Sequence, residues 1–329
     1  MSRRELDAAG ITDPQLRESY EQCRRLNAVH GKTYYLATLL LPAAKRPYVH
    51  ALYGFARYAD EIVDDLSSGH TPAERATALD SWSARVSTDL AAGDSSHPFL
   101  GALIDTVGRW DIPLAHIEAF LTSMRMDLTV TAYPTYDDLL SYAHGSAAVI
   151  GLQMAPILEH PGVPASVVNP YAADLGIGFQ LANIVRDVGE DLQRGRVYLP
   201  QEDLDAFGVD RERLARGVVD APVRRLLEFE IARARSVLHA AEPGIRLLHP
   251  TSRDCVRTAY TLYGGILDAV ERSGYQVLTR RARVGLVRRA AVAVPGLVRA
   301  RLARRVSVAG PPVARTARHG DRATPTSRA

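Results

Sequence analysis

The chain is predicted to be all-α, a single helical domain whose helices wall a central cavity. Three observations predict this. Strict apolar–polar alternation is nearly absent, and apolar positions instead recur at helical spacing between clusters of Gly and Pro. Hydrophobic residues make up 47% and charged residues 23% of 329 residues, which is enough apolar surface for one large buried core. Two carboxylate pairs of equal spacing, Asp60 with Asp64 and Asp187 with Asp191, sit 127 residues apart, each inside an otherwise apolar stretch.

Taken in order, residues 13–41 carry aromatic and aliphatic positions at helical spacing until Pro42 and Pro47 break them. The next helix holds the first acid pair. At about 100° per residue, Tyr53, Arg57, Asp60 and Asp64 share an arc of roughly 60°, while Leu52, Phe55, Ala56, Ala59 and Ile62 cover much of the rest. Breaks at 66–72, 92–98, 111–113 and 133–135 delimit further helices up to 137–158, a long one rich in small residues. Its Gly145, Ser146, Ala147, Ala148 and Gly151 permit close packing or leave room for a ligand's chain. After a break at 160–164, Gln180, Asn183, Asp187, Glu190 and Asp191 fall within about 100°, beside the apolar Ile177, Leu181, Ile184, Val185, Val188 and Leu192. Breaks at 195–200, 208–210 and 243–250 complete a predicted set of about eight to ten helices.

Like charges four residues apart on a helix repel across roughly 5–6 Å, so each pair calls for a cation. A divalent metal is expected rather than a Lys or Arg partner, because each pair continues into a polar stripe and not into an alternating salt-bridge ladder. Mg²⁺ suits such a seam, since it takes one or two carboxylates, keeps several waters and binds substrate phosphate oxygens; Mn²⁺ is an acceptable substitute. One D-x-x-x-D is commonly a solvated helix face. The second, however, lies in FQLANIVRDVGEDLQRGRVYLP (179–200), with Gln180, Asn183 and Arg186 on its entering side and Arg194, Arg196 and Tyr198 on its leaving side. Guanidinium forks beside an acidic cluster suit a diphosphate, metal on one side and arginine on the other. Arg194 is also placed to cap a helix end before Gly195.

No apolar run reaches the roughly 18 residues a membrane span needs, and the start, MSRRELDAAGITDPQL, lacks the apolar core of a secretory signal. Cys23 and Cys255 offer neither a disulfide framework nor metal spacing, so a reducing cytoplasm is expected. Net charge is unevenly spread. Residues 279–329 hold thirteen Arg, no Lys and one Asp, a net of +12, which leaves −9 for residues 1–278 against the chain's +3. Within the basic part, VGLVRRAAVAVPGLVRARLARR (284–305) mixes apolar and Arg positions around Pro295, which suits either a broken interfacial helix in contact with an anionic membrane or a solvated basic tail with no such contact. No aromatic stacking platform accompanies it, so nucleic acid is not expected as a partner. Residues 311–329, rich in Pro, Ser, Thr and Arg, are expected to be disordered. The expected organisation is therefore a helical body at 1–283, a basic interfacial segment at 284–310 and a basic tail; oligomeric state is not legible.

YGFARYADEIVDD (53–65), GKTYYLATLLLP (31–42) before it, and RDVGEDLQRGRVYLP (186–200) resemble the signature stretches of the squalene and phytoene synthase family. FLTSMRMDL (120–128), LLSYAHGSAAVIG (139–151) and AYTLYGGILDAVERSGYQVLTRR (259–281) are similar too, and the likeness, strongest to bacterial phytoene synthases, runs from about residue 30 to 283. The resemblance implies an isoprenoid synthase fold with two acidic motifs facing each other across the mouth of a deep cavity. It further implies Mg²⁺-dependent head-to-head joining of two prenyl diphosphates through a cyclopropyl diphosphate, with Asp60, Asp64, Asp187 and Asp191 as metal ligands. Tyr53, Arg57, Gln180, Asn183 and Tyr198 match polar positions lining the site in relatives. Gly31 stands where many relatives carry Ser, Glu61 replaces a frequent Asp, and Ala143-His144 replaces a common Cys followed by Tyr or Arg.

The expected reaction breaks an allylic C–O bond with the leaving diphosphate neutralised by metal, so its carbocation needs a dry cavity. Tyr34, Tyr53, Phe55, Tyr142 and Phe179 are candidates for cation–π stabilisation. Two geranylgeranyl diphosphates would give phytoene by final proton loss, and with no dinucleotide fingerprint present NADPH is not expected. The alternatives are a C30 squalene, dehydrosqualene or hydroxysqualene synthase using farnesyl diphosphate, and, in another class, a non-catalytic helical scaffold with a membrane-binding tail. The scaffold has no need of the Arg, Gln and Asn around both acid pairs.

Overall fold

The computed structural model describes residues 2–64 and 69–308. Fifteen α-helices follow one another among the described residues: α1 (Ser2–Ala9), α2 (Pro14–His30), α3 (Lys32–Thr38), α4 (Arg46–Asp64), α5 (Pro72–Ala92), α6 (Leu100–Arg109), α7 (Leu114–Thr129), α8 (Tyr136–Ala143), α9 (Val149–Leu158), α10 (Ala165–Gln193), α11 (Gln201–Phe207), α12 (Arg211–Ala215), α13 (Ala221–Ala241), α14 (Pro250–Arg272) and α15 (Leu286–Val308). A π-helical turn, His144–Ala148, joins α8 to α9. An isolated bridge between Ala132 and Val197 is the extended pairing among these residues. The all-α expectation holds, but the helices outnumber the predicted eight to ten because α1, α3, α8, α11 and α12 are each eight residues or fewer. Such short runs gain their stability from packing, not from a periodic pattern of their own.

Local chemistry sets the helix starts. Asp13 accepts the Leu16 N–H at 2.7 Å ahead of Pro14, and Thr71 with Glu74 and Thr135 with Asp138 form reciprocal capping boxes. The core centres on α4 and α10. Helix α4 buries Tyr48, Leu52, Phe55, Ala59 and Val63 against α2, α6 and α7. Helix α10, 29 residues long, packs on the π turn, α9, α13 and α14. A Cβ at Gly151 would run into the Ala172 carbonyl, and one at Gly176 into that of Ala147; glycine there lets α9 and α10 touch backbone to backbone. Phe55 is corrected by this packing. It is fully buried, its ring tilted at 56° against Phe120 with centroids 5.3 Å apart, and it stands behind Phe120, which lines the cleft in its place.

Residues 286–308 also differ from expectation. Helix α15 runs unbroken through Pro295 and lies against α14. The carbonyl that Pro295 leaves without an intrahelical donor belongs to Ala291, and both residues are exposed, so water can satisfy it. No described helix is long and apolar enough to cross a membrane. The tail expected to be disordered, 311–329, lies outside the described residues.

Candidate active site

All twelve polar residues singled out in the sequence line one cleft. Tyr53, Arg57, Asp60 and Asp64 come from α4; Gln180, Asn183, Arg186, Asp187 and Asp191 come from α10; Arg194, Arg196 and Tyr198 come from the segment that follows it. The i,i+4 spacing puts each acid pair on one face, and apolar burial of the remaining faces turns both pairs toward the same space.

Arginines thread between the acids. Arg57 donates to Asp60 at 2.6 Å, Arg196 to Asp64 at 2.9 Å, and Arg186 to Asp187 at 2.5 and 2.7 Å. Arg194 spans the cleft, 3.6 Å from Asp64 and 3.7 Å from Asp191, so the two acid pairs lie within one guanidinium of each other. Its backbone also caps α10, as the sequence reading of a helix end before Gly195 expects. The expectation that these acids lack arginine partners is therefore corrected. Arg57 shares the arc of the first pair on α4, whereas Arg194 and Arg196 reach Asp64 from the segment after α10, which a single-helix projection does not bring together. Among the described residues no group of three or more His, Cys, Asp or Glu side chains is gathered tightly enough to hold a metal by itself.

The electrostatics are strained in one direction. Burial, then the neighbouring Asp64 carboxylate, pushes Asp60 up to about 6; burial, then Asp187, pushes Asp191 up to about 7. Cation binding relieves both terms. Ser146 Oγ and Asn183 Oδ1, on the inner edge of the cleft, are buried without a hydrogen-bond partner, which marks a place where a ligand's polar group completes the site.

Two site residues escaped sequence reasoning as individuals. Arg281, in the loop after α14, reaches Asp187 at 2.9 Å and Glu190 at 3.2 Å. The signal for it was Gly189: a Cβ there would strike the Leu278 carbonyl, and the Gly189 N–H donates to Val277 O at 3.2 Å, which holds that loop on α10. Asp127 on α7 accepts hydrogen bonds from Tyr198 at 2.6 Å and Tyr142 at 3.1 Å. Burial raises its carboxyl to about 7 although the Tyr198 bond pulls the other way. Tyr142 and Tyr198, with ring centroids 5.3 Å apart, close that end of the cleft. His144 lies exposed on the π turn, outside the cleft.

The Asp127 carboxyl fixes a pH dependence. Its folded value lies above the ordinary 3.8, so its contribution to stability is complete below about pH 4 and is lost as pH rises through about 7. Denaturant unfolding between pH 4 and 7 should show this decline together with those of Asp60 and Asp191, which are raised in the same sense, and Asp127→Asn, which cannot ionise, should make it shallower. An unchanged slope in the variant would show that Asp127 ionises at an ordinary pH.

Beyond Ser146, Gln180 and Asn183, which belong to both spaces, the cleft continues into an apolar cavity of about 160 Å³. Small residues line it: Ala147, Gly151 and Ala155 of the 137–158 stretch from one side, Ala172 and Gly176 of α10 from the other. Tyr34 and Phe179 also face it, and Phe179 stacks at 4.0 Å on Tyr263. Its wall on α10 runs from Asn183 down to Val168, fifteen residues or about 22 Å at ~1.5 Å per residue. Leu158, Leu248 and Cys255 line its far part. Behind them the buried Lys45 donates to Leu158 O and Ser252 Oγ, each at 3.0 Å.

The family model described as squalene/phytoene synthase matches residues 28–288. Among curated proteins the chain is 40% identical over 276 residues to a 15-cis-phytoene synthase of a Synechocystis species, covering 81% of each. It is 38% identical over 278 residues to that of Synechococcus elongatus, covering 82% of this chain and 89% of the other. Among solved structures, a dehydrosqualene synthase in complex with ligand superposes with a TM-score of 0.78 at 26% identity, covering 85% of this chain and 96% of that one. A squalene synthase of Alicyclobacillus acidocaldarius gives 0.72 at 26% identity, covering 82% and 98%.

Proposed function

Because the chain belongs to the squalene/phytoene synthase family and is thus an enzyme of the transferase class, we propose that it condenses two geranylgeranyl diphosphates head to head. The product is phytoene, formed through a cyclopropyl (prephytoene) diphosphate with release of both diphosphates and a final proton loss that needs no NADPH.

Cavity depth carries this reading. A sixteen-carbon main chain with bonds of about 1.5 Å spans roughly 20 Å extended, and a twelve-carbon one roughly 15 Å. The wall of about 22 Å below Asn183 accepts the longer chain while its diphosphate stays among the arginines. Relatives named 15-cis-phytoene synthase support the same choice. The C30 alternative, using farnesyl diphosphate, draws on the likeness to a dehydrosqualene synthase structure.

The cleft fits Mg²⁺, or Mn²⁺ in its place. Two carboxylates per helix, of which Asp60 and Asp191 are held above their ordinary range by desolvation and by the charge of the neighbouring acid, match a metal that takes one or two carboxylates and leaves its other positions to water and phosphate. Asp60, Asp64, Asp187 and Asp191 would hold it. When bound it supplies Lewis-acid neutralisation of the leaving diphosphate. Arg57, Arg186, Arg194, Arg196 and Arg281 bind the free phosphate oxygens and Gln180 and Asn183 orient the diphosphate end. Tyr53 and Tyr198 line the reacting zone, and the apolar cavity excludes water from the carbocation. The enzyme works in the cytoplasm at the periphery of a membrane.

Purified enzyme with Mg²⁺ should convert geranylgeranyl diphosphate to a C40 hydrocarbon with or without NADPH, identified by mass spectrometry. Product from farnesyl diphosphate alone would overturn the chain-length reading, and no hydrocarbon from either substrate would overturn the reaction.

A further inference from the structure

Helix α15 is apolar on two faces, and one of them meets the protein. Inward, Ala293, Gly296 and Ala300 are buried, and a Cβ at Gly296 would lie 2.7 Å from Leu40 Cδ2 and 3.0 Å from Thr258 Oγ1. Arg299 donates to Asp254 at 2.8 Å and Arg304 to Leu41 O at 2.8 Å, which pins that face to α14 and to the turn after α3. Outward, Val294, Val298 and Leu302 stand at i, i+4 and i+8 and are 59, 52 and 55% exposed. They share an arc of about 80° at 100° per residue, and the exposed Arg301 and Arg305 lie in or at the edge of the same arc. The helix carries six Arg and no acid, on a protein whose residues 1–278 have a net charge of −9.

We propose that this outer face of α15 docks the enzyme on an anionic lipid bilayer. Val294, Val298 and Leu302 enter the boundary between headgroups and acyl chains, and Arg301 and Arg305 pair with lipid phosphates. An apolar stripe rimmed by cations is the pattern of an interfacial helix. A second copy is the poorer occupant, because isologous pairing sets arginine against arginine with no acid on the helix to meet it. Residues 1–278 carry a net charge of −9, so on average the rest of the body is repelled by anionic lipid while α15 is attracted to it. Helix α14, which α15 covers, contributes Val256 and Ala259 to the cavity wall, so this orientation holds the cavity near the bilayer. The inference rests on the peripheral-membrane part of the proposal above. Vesicle binding is read without substrate, so its failure and the failure of the condensation reading are separable.

The test is flotation of the full chain with phosphatidylcholine vesicles and with vesicles that also contain phosphatidylglycerol. The enzyme should float with the anionic vesicles, less so at raised salt. In the full chain, with its basic tail intact, Val294→Ser/Val298→Ser/Leu302→Ser should lower the partition coefficient at least ~10-fold, and Arg301→Gln/Arg305→Gln roughly 30-fold. All five side chains are exposed, so circular dichroism should be unchanged; if the apolar variant misfolds, the arginine variant decides. Undiminished vesicle binding by both variants would overturn the proposal. So would a dimer detected by light scattering in the parent and lost in the triple variant, which would assign the face to a second copy.

Discussion

Asp187→Asn will lower turnover by at least about a thousandfold, some 4 kcal/mol of transition-state stabilisation, while leaving helical content intact. Asparagine is the informative replacement. Asp187 sits 2.5–2.9 Å from Arg186 and Arg281, and its removal as alanine strands the half-buried Arg186 guanidinium, a loss that can reach 3–5 kcal/mol for a buried pair. The amide keeps the shape and one accepting oxygen but has no charge with which to hold a divalent cation. A second readout separates metal loss from misfolding. Mg²⁺ should raise the melting temperature of the parent by mass action on the folded state and should do so much less in the variant. Asp60→Asn on α4 should behave alike, because Arg194 reaches both acid pairs and binds them into one cluster. A variant at either position that retains activity would sink the proposal that both pairs hold metal.

How far the sequence reached follows from what is local. The acid pairs, their polar stripes and the arginines trailing the second motif are all encoded within one or two helical turns, and all twelve residues fall around one cleft. What the sequence hid depends on pairs of elements. Arg281 reaches Asp187 from 94 residues away, through a loop seated on Gly189. The Asp127–Tyr198 bond spans 71 residues. The Pro295 break failed because the exposed side of α15 tolerates one missing N–H, whereas its inward small residues dock tightly on α14. Small residues in 137–158 left two readings open, packing or ligand space, and both are realised: Gly145 packs against Ser123, while Ala147 and Gly151 both touch α10 closely and line the cavity.

Cavity depth could not be read from sequence because it is a register between antiparallel helices, and it yields the second large effect. Ala172 lines the cavity eleven residues below Asn183, about 16 Å along α10. That is past the end of an extended twelve-carbon chain and short of a sixteen-carbon one, roughly 15 and 20 Å. Ala172→Phe places a ring across the cavity at that level. Exclusion of excess methylenes by a filled apolar pocket is worth 10–200-fold, so kcat/KM for geranylgeranyl diphosphate should fall about 100-fold while use of farnesyl diphosphate changes by no more than about 3-fold. The Mg²⁺-dependent rise in melting temperature should persist, since the acids lie at the opposite end. Equal loss of both substrates would mean that the ring disturbs the shared upper wall. An unaffected C20 reaction would mean that the chain does not run down α10, and with that the depth argument for a C40 product would fall.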